Sequence, residues 1–353
     1  MTILLVIIAA ILVFGAVIFI HELGHFMLAK WSGIKVNEFA LGMGPTLFKF
    51  GKGETTYALR LLPIGGFVSM EGEDEESGDP RSFQRAPIYK RILVIIAGAV
   101  MNLVLGFLAL VVLVSAGGDI ASKTVSRVYS DASGLQVGDE FVKVNGRRCF
   151  IMDDLSYEFA RTQNGTFDLQ VRRDGKMVEL KNVTFETKEA IDKTTGEPVL
   201  NEATGEPYQY MDVGFAVLPI GRNPLTVVRE AALTTLSYAR LIYLSLIDLI
   251  TGRVAVNQLS GPVGIVSEIG KAVALGWKPV VQLLALISVN LGVVNMLPLP
   301  ALDGGKTVLL IVEAIRRKPL KQKYEIAINV VGFALLICLM LFVSVNDIRR
   351  LVM

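Results

Sequence analysis

Only two histidines stand in this chain of 353 residues, and they are four positions apart in His21-Glu22-Leu23-Gly24-His25. On a helix that spacing lays both rings on one face, with Cβ atoms about 5–6 Å apart. Two neutral imidazoles so placed can bind one zinc ion. Glu22 projects beside that face, where its carboxylate can reach a water at the metal without being a ligand. Alone, a His-Glu-x-x-His in a soluble surface helix is often fortuitous. Here the motif ends a long apolar run, and charged groups at membrane depth cost about 2.5–3.5 kcal/mol each unless satisfied. A metal satisfies them.

The elements that must hold these residues are membrane helices. Hydrophobic residues make up 52% of the chain and charged ones only 19%, with a mean hydropathy of +0.53. That is the profile of a polytopic α-helical membrane protein with a soluble insert. A net charge of +2 argues against a nucleic-acid partner. The two cysteines, Cys149 and Cys338, lie in a polar and an apolar segment, so a disulfide between them is not expected. The N-terminus has no basic region and no small-residue cleavage site before His21, which reads as a retained span.

Four apolar runs are long enough to cross: about 2–29, uncharged as far as Ile20, then 92–118, 279–302 and 326–346. Between the first two lies a basic loop whose middle, about 55–72, is apolar and carries Leu62-Pro-Ile-Gly-Gly-Phe-Val-Ser-Met70. The Pro and Gly-Gly predict a reversal, hence a β-hairpin lying on the membrane surface or a re-entrant loop. Its edge could pair with an extended peptide through Gly66, Phe67, Val68 and Ser69. In the second span, Ala97-Gly-Ala-Val-Met-Asn102 holds small residues for close helix packing, which accounts for Gly98 but not for the amide of Asn102.

Residues 1–120 thus form the first part of a membrane core and 278–353 the second. Residues 121–187 read as a soluble α+β insert. Strands are expected near 125–128 and 141–144, the latter closed by an Asn145-Gly146 turn. A helix is expected at 155–161 and a hairpin about Arg173-Asp174-Gly175. With Gly134-Leu-x-x-Gly-Asp139, this stretch resembles a circularly permuted bacterial PDZ domain, which implies either capture of a peptide tail or a gate that sizes the substrate. Residues 188–221, with the repeats Thr195-Gly-Glu-Pro198 and Thr204-Gly-Glu-Pro207, read as an exposed loop or hairpin insert. Residues 222–277 read as an interfacial helix and a connector broken by Gly261-Pro-Val-Gly264; Arg229, Glu230, Arg240 and Asp248 weigh against a crossing there.

That choice decides the metal site. With four crossings, Asp303, which ends a span before Gly304-Gly305, returns to the level of His21 and His25. A fifth crossing would put it on the opposite side. Both loops then placed inside are rich in Lys and Arg, as positive-inside counting requires. A catalytic zinc takes three protein ligands and leaves one position open, and Asp303 completes the set.

His21-Glu22-x-x-His25, Asn295-x-x-Pro298 followed by Leu302-Asp303-Gly304, and the PDZ-like insert occur in that order. Together they resemble the site-2 protease family of intramembrane zinc metalloproteases, closest to its bacterial RseP type, over essentially the whole chain. One departure is a single PDZ-like domain where some members carry two. The resemblance implies peptide-bond hydrolysis inside the membrane, with Glu22 as general base and Asn102, Asn295 and Pro298 near the substrate backbone. It implies single-span transmembrane proteins as substrates, such as anti-sigma factors or signal-peptide remnants. It also places the zinc site towards the cytoplasm and the insert outside a bacterial cell membrane. A membrane-tethered PDZ adaptor with a non-catalytic zinc site is the alternative, and intact Glu22 argues against it. A transporter is a third reading, weakened by the lack of internal transmembrane repeats.

Overall fold

A computed structural model describes residues 3–51, 53–73, 75, 77–129, 134–162, 165–191, 196–200, 207, 209–252, 260–318 and 322–352. Lys52, Ser133, Thr195 and Thr204, and with them most of the repeat at 195–207, lie outside the described residues. In chain order come α1 (Ile3–Trp31), β1 (Val36–Phe50), β2 (Thr56–Met70) and α2 (Ile88–Ser115). The insert follows with β3 (Ile120–Val128), β4 (Glu140–Val144), β5 (Arg147–Arg148) and α3 (Met152–Arg161). It continues through β6 (Thr166–Arg173), β7 (Lys176–Thr184), β8 (Glu186–Glu189), β9 (Gln209–Asp212) and β10 (Phe215–Ile220). The chain closes with α4 (Pro224–Ile250), α5 (Pro262–Leu275), α6 (Trp277–Asn295), α7 (Asp303–Arg316) and α8 (Gln322–Val352). Two compact units result, one of Met1–Leu113 with Tyr238–Met353 and the other of Val114–Ser237.

Among the described residues five helices are long and apolar enough to span a membrane: α1, α2, α4, α6 and residues 326–349 of α8. The chain is a polytopic membrane protein carrying a β domain. The fifth candidate, α4, is the helix expected in the interface, and it is the least apolar of the five. Small residues let the helices close on one another. A β-carbon on Gly24 would meet the carbonyl of Ala97, and one on Gly292 would lie 2.9 Å from the carbonyl oxygen of Ala99. The Gly261-Pro-Val-Gly264 stretch opens α5, where the N–H groups of Gly261 and Gly264 donate to Asp347 Oδ2 at 2.9 and 2.8 Å. Helix starts leave unpaired N–H groups, and here a buried carboxylate from α8 satisfies two of them.

The expected hairpin is a larger sheet. Residues 36–41 pair with 66–70 on one side, from Val36 with Met70 to Leu41 with Gly66, and with 56–59 on the other. Residues 46–50 in turn pair with 57–60. Strand 66–70 is therefore an edge. Val36, Phe39, Val68 and Met70 pack into one core with Ala29, Val94 and Leu310, which fixes that edge against the helices.

In the second unit the sheet order is β10-β3-β4-β6-β7, with β5 beside β4. Phe141, Leu155, Phe167, Leu169 and Val171 fill its core. The Asn145-Gly146 turn has φ of 49° and 77°, the left-handed pair that a two-residue hairpin needs. Sequence periodicity ended this domain at residue 187, yet β10 joins the sheet beside β3, pairing Phe215 with Val128 and Ile220 with Ile120. The intervening residues separate β10 from its partner in sequence, and pairing across such a gap leaves no local periodic signal.

Candidate metal centre

One turn of α1 presents His21, Glu22 and His25, and α7 begins with Asp303. Gly304 and Gly305 let α7 start tight against the preceding loop, since a β-carbon on either would collide with the carbonyls of Leu297 and Leu299. Arg91 of α2 then holds α7 by donating to Glu313 at 2.7 Å.

Three candidate donor atoms make a small triangle. His21 Nε2 and His25 Nε2 lie 3.3 Å apart, and each is 3.4 Å from Asp303 Oδ2. Zinc bonds of about 2.0–2.2 Å to nitrogen and oxygen put the donors of a tetrahedron about 3.3–3.6 Å apart. Asp303 Oδ2 is buried and has no hydrogen-bond partner among the described residues, a cost that a cation removes. The second nitrogen of each ring also has a neighbour. His25 Nδ1 lies 2.9 Å from the Val94 carbonyl oxygen, and His21 Nδ1 lies 3.2 Å from the Asn102 amide. Ligand type, spacing and the carbonyl partner of His25 fit zinc.

A cavity of about 410 Å³ opens on this triangle, lined by His21, Glu22, His25, Asp303, the edge residues Gly66, Phe67, Val68, Ser69 and Met70, and Glu73, Ile95 and Lys306. Gly66 is forced: a β-carbon there would lie 2.9 Å from Glu22 Cγ and 3.0 Å from the Ala40 carbonyl oxygen. Asn102, Asn295 and Pro298 are not among the lining residues. Both amides touch His21 instead, Asn295 Nδ2 at 3.4 Å from Nε2. Glu73 and Lys306, which pair at 2.8 Å, carried no motif and were not legible in the sequence. Gly98 has a second reason beyond helix packing, because a β-carbon there would strike His25 Nε2 and come 2.8 Å from His21 Cε1.

A His-Glu-x-x-His helix meeting a carboxylate at a cavity beside a β edge, all within membrane helices, has the donor set and the open side of a metallohydrolase. The model of peptidase family M50 matches residues 9–339. The chain belongs to that family, the site-2 proteases, and is a zinc metallopeptidase. It is 38% identical to a Clostridium perfringens protein named as a candidate zinc metalloprotease, across 97% of this chain and 98% of that one. The regulator of sigma-W protease RasP of Bacillus subtilis is 30% identical, across 98% of each chain. The zinc metalloprotease RasP of Bacillus licheniformis is 31% identical, across 98% of this chain and 99% of its own.

Proposed function

We propose that this protein cuts peptide bonds within the transmembrane segments of single-span membrane proteins, the class to which anti-sigma factors and signal-peptide remnants belong. The observation that carries the reading is the cavity in which the His21–His25–Asp303 triangle, Glu22 and the 66–70 edge meet. His21, His25 and Asp303 hold the zinc. Bound there, zinc polarises a carbonyl and lowers the pKa of water from about 15.7 to about 7. Glu22 takes the attacking water's proton and delivers it to the leaving amide nitrogen. A helical substrate hides its carbonyls, so it must open, and the edge at Gly66, Phe67, Val68 and Ser69 offers replacement backbone bonds. Asn295 ends α6 against His21, and Pro298 follows in the α6–α7 loop.

In this reading four helices cross and α4 lies in the interface. Val94 of α2 and Asn295 of α6 both stand beside the histidines, so α2 leaves that level and α6 returns to it. The chain between them must then cross an even number of times. Helix α5 has 14 residues, about 21 Å, too short for a core about 30 Å thick. An α4 crossing would have no return. The insert, a permuted PDZ-like domain that binds a peptide tail or sizes the substrate, then lies outside, and the zinc site faces the cytoplasm with the basic loops.

The test is zinc analysis of the purified protein paired with cleavage of a panel of single-span substrates. Zinc-dependent cuts inside the membrane segment are expected; cuts only in soluble tails would overturn the reading. Cysteine labelling should place Ser122 and Lys181 on one side, and Lys90 and Lys318 on the other.

A further inference from the structure

Asn102 is fully buried and sits where an amide must be explained. Its backbone carbonyl accepts from Ser288 Oγ at 2.8 Å, which pins α2 to α6 at this level. Its Nδ2 lies 3.2 Å from His21 Nδ1, while its Oδ1 has no hydrogen-bond partner among the described residues. A neutral imidazole carries one ring proton. With Nδ2 against Nδ1, that proton belongs on Nε2, which points at Asp303 and His25. A metal needs the Nε2 lone pair, so the proton must then sit on Nδ1 and find an acceptor there.

We infer that Asn102 is a positioning residue for His21: its Oδ1 accepts the Nδ1–H when the metal is bound, and so sets which ring nitrogen faces the zinc. The two amide orientations fill the same volume, so the exchange is a half-turn of the side chain with no helix movement. In one orientation the unpaired oxygen is the cost; in the other it is the acceptor the ring requires. This role replaces the contact with substrate backbone expected from the sequence, in keeping with the absence of Asn102 from the cavity lining. It rests on the reading of His21 as a ligand.

The experiment measures zinc affinity of the full-length protein by chelator competition in four forms: wild type, Asn102→Leu, Asn102→Asp and His21→Ala. Leucine keeps the bulk and removes the acceptor, so zinc should bind about 10- to 100-fold more weakly. Aspartate keeps an acceptor at the same reach, so affinity should stay within a few-fold of wild type. Wild-type affinity in Asn102→Leu would overturn the inference, as would equal loss in both variants, which would assign the role to the amide N–H₂ that both remove. Undiminished affinity in His21→Ala would instead remove His21 from the ligand set, a failure that the two Asn102 variants cannot produce.

Discussion

The Nδ1 nitrogen of His25 lies 2.9 Å from the main-chain oxygen of Val94, so the first membrane helix donates a hydrogen bond to the second beside the metal triangle. That bond places the ring proton on Nδ1 and leaves Nε2 free as a ligand. It also demands that the two helices nearly touch. Gly24 against Ala97, and Gly98 against both rings, remove the side chains that would hold them apart. The small residues of the second span thus shape the candidate metal site as well as helix packing.

From this follows the expectation for Gly98→Ala. The added carbon would strike His25 Nε2 and crowd His21 Cε1. Zinc content of the purified variant should fall sharply, with activity falling in step. Full zinc occupancy at wild-type activity would mean the rings can retreat.

Glu22→Gln should abolish cleavage while zinc stays bound. Glu22 lines the cavity beside the three donors but is outside the triangle they form. General-base catalysis contributes about 10²–10⁴-fold, and glutamine cannot take the proton. Measured turnover within a few-fold of wild type would remove Glu22 from the mechanism.

Asp303→Ala should lower both zinc content and activity, in contrast to Glu22→Gln. Its Oδ2 is buried with no hydrogen-bond partner among the described residues, and two histidines alone make a poor site. Metal analysis of the two variants side by side separates ligand from base.

Much of this site is legible in the chain because its chemistry is local. His21, Glu22 and His25 share one helical turn, and Asp303, expected there from a count of four crossings, does lie beside both rings. What the sequence leaves dark is pairing at a distance. The β10 strand lies after a polar loop, and the 36–41 strand, which pairs on both sides, has no turn to announce its second partner. Glu73 and Lys306 carry no motif, so only the fold brings them to the cavity. Asn102 was legible as an unexplained amide, while its contact with His21 is set by helix rotation, which hydropathy does not reveal.

Within the insert, Asp139 accepts from Arg173 at 2.8 Å and from the N–H of Gln136 at 2.9 Å. Burial alone would raise its pKa, but these bonds outweigh burial and hold the carboxyl below its ordinary value. A depressed folded-state pKa contributes stability that is present above the unfolded value, about 3.9, and lost as pH falls through the folded one. Protection of the β3 and β4 amides from hydrogen exchange, taken relative to the intrinsic rate at each pH, should therefore fall as the medium is acidified below about pH 4. Asp139→Asn should be less stable at neutral pH and lose that part of the acid response. An unchanged acid response in this variant would assign it to other carboxylates.

The last prediction concerns how a substrate helix is opened. Residues 66–70 pair with 36–41 along one side, and the same residues line the cavity at Glu22 and the metal triangle. An edge strand is a template for strand addition. In the membrane an opened segment has no water to satisfy its amides, and each unpaired group costs several kcal/mol. Proline has no N–H to donate. Neighbouring amides of a strand point to opposite sides, so of Val68 and Ser69 one faces the substrate and the other the sheet. Proline at the substrate-facing position should cut cleavage of a stable helical substrate sharply with zinc content unchanged. Substrates with helix-breaking residues near the scissile bond should lose less, because they open at lower cost. If proline at both positions leaves cleavage of the stable helix intact, the edge only anchors the sheet in the membrane, and opening belongs to another element.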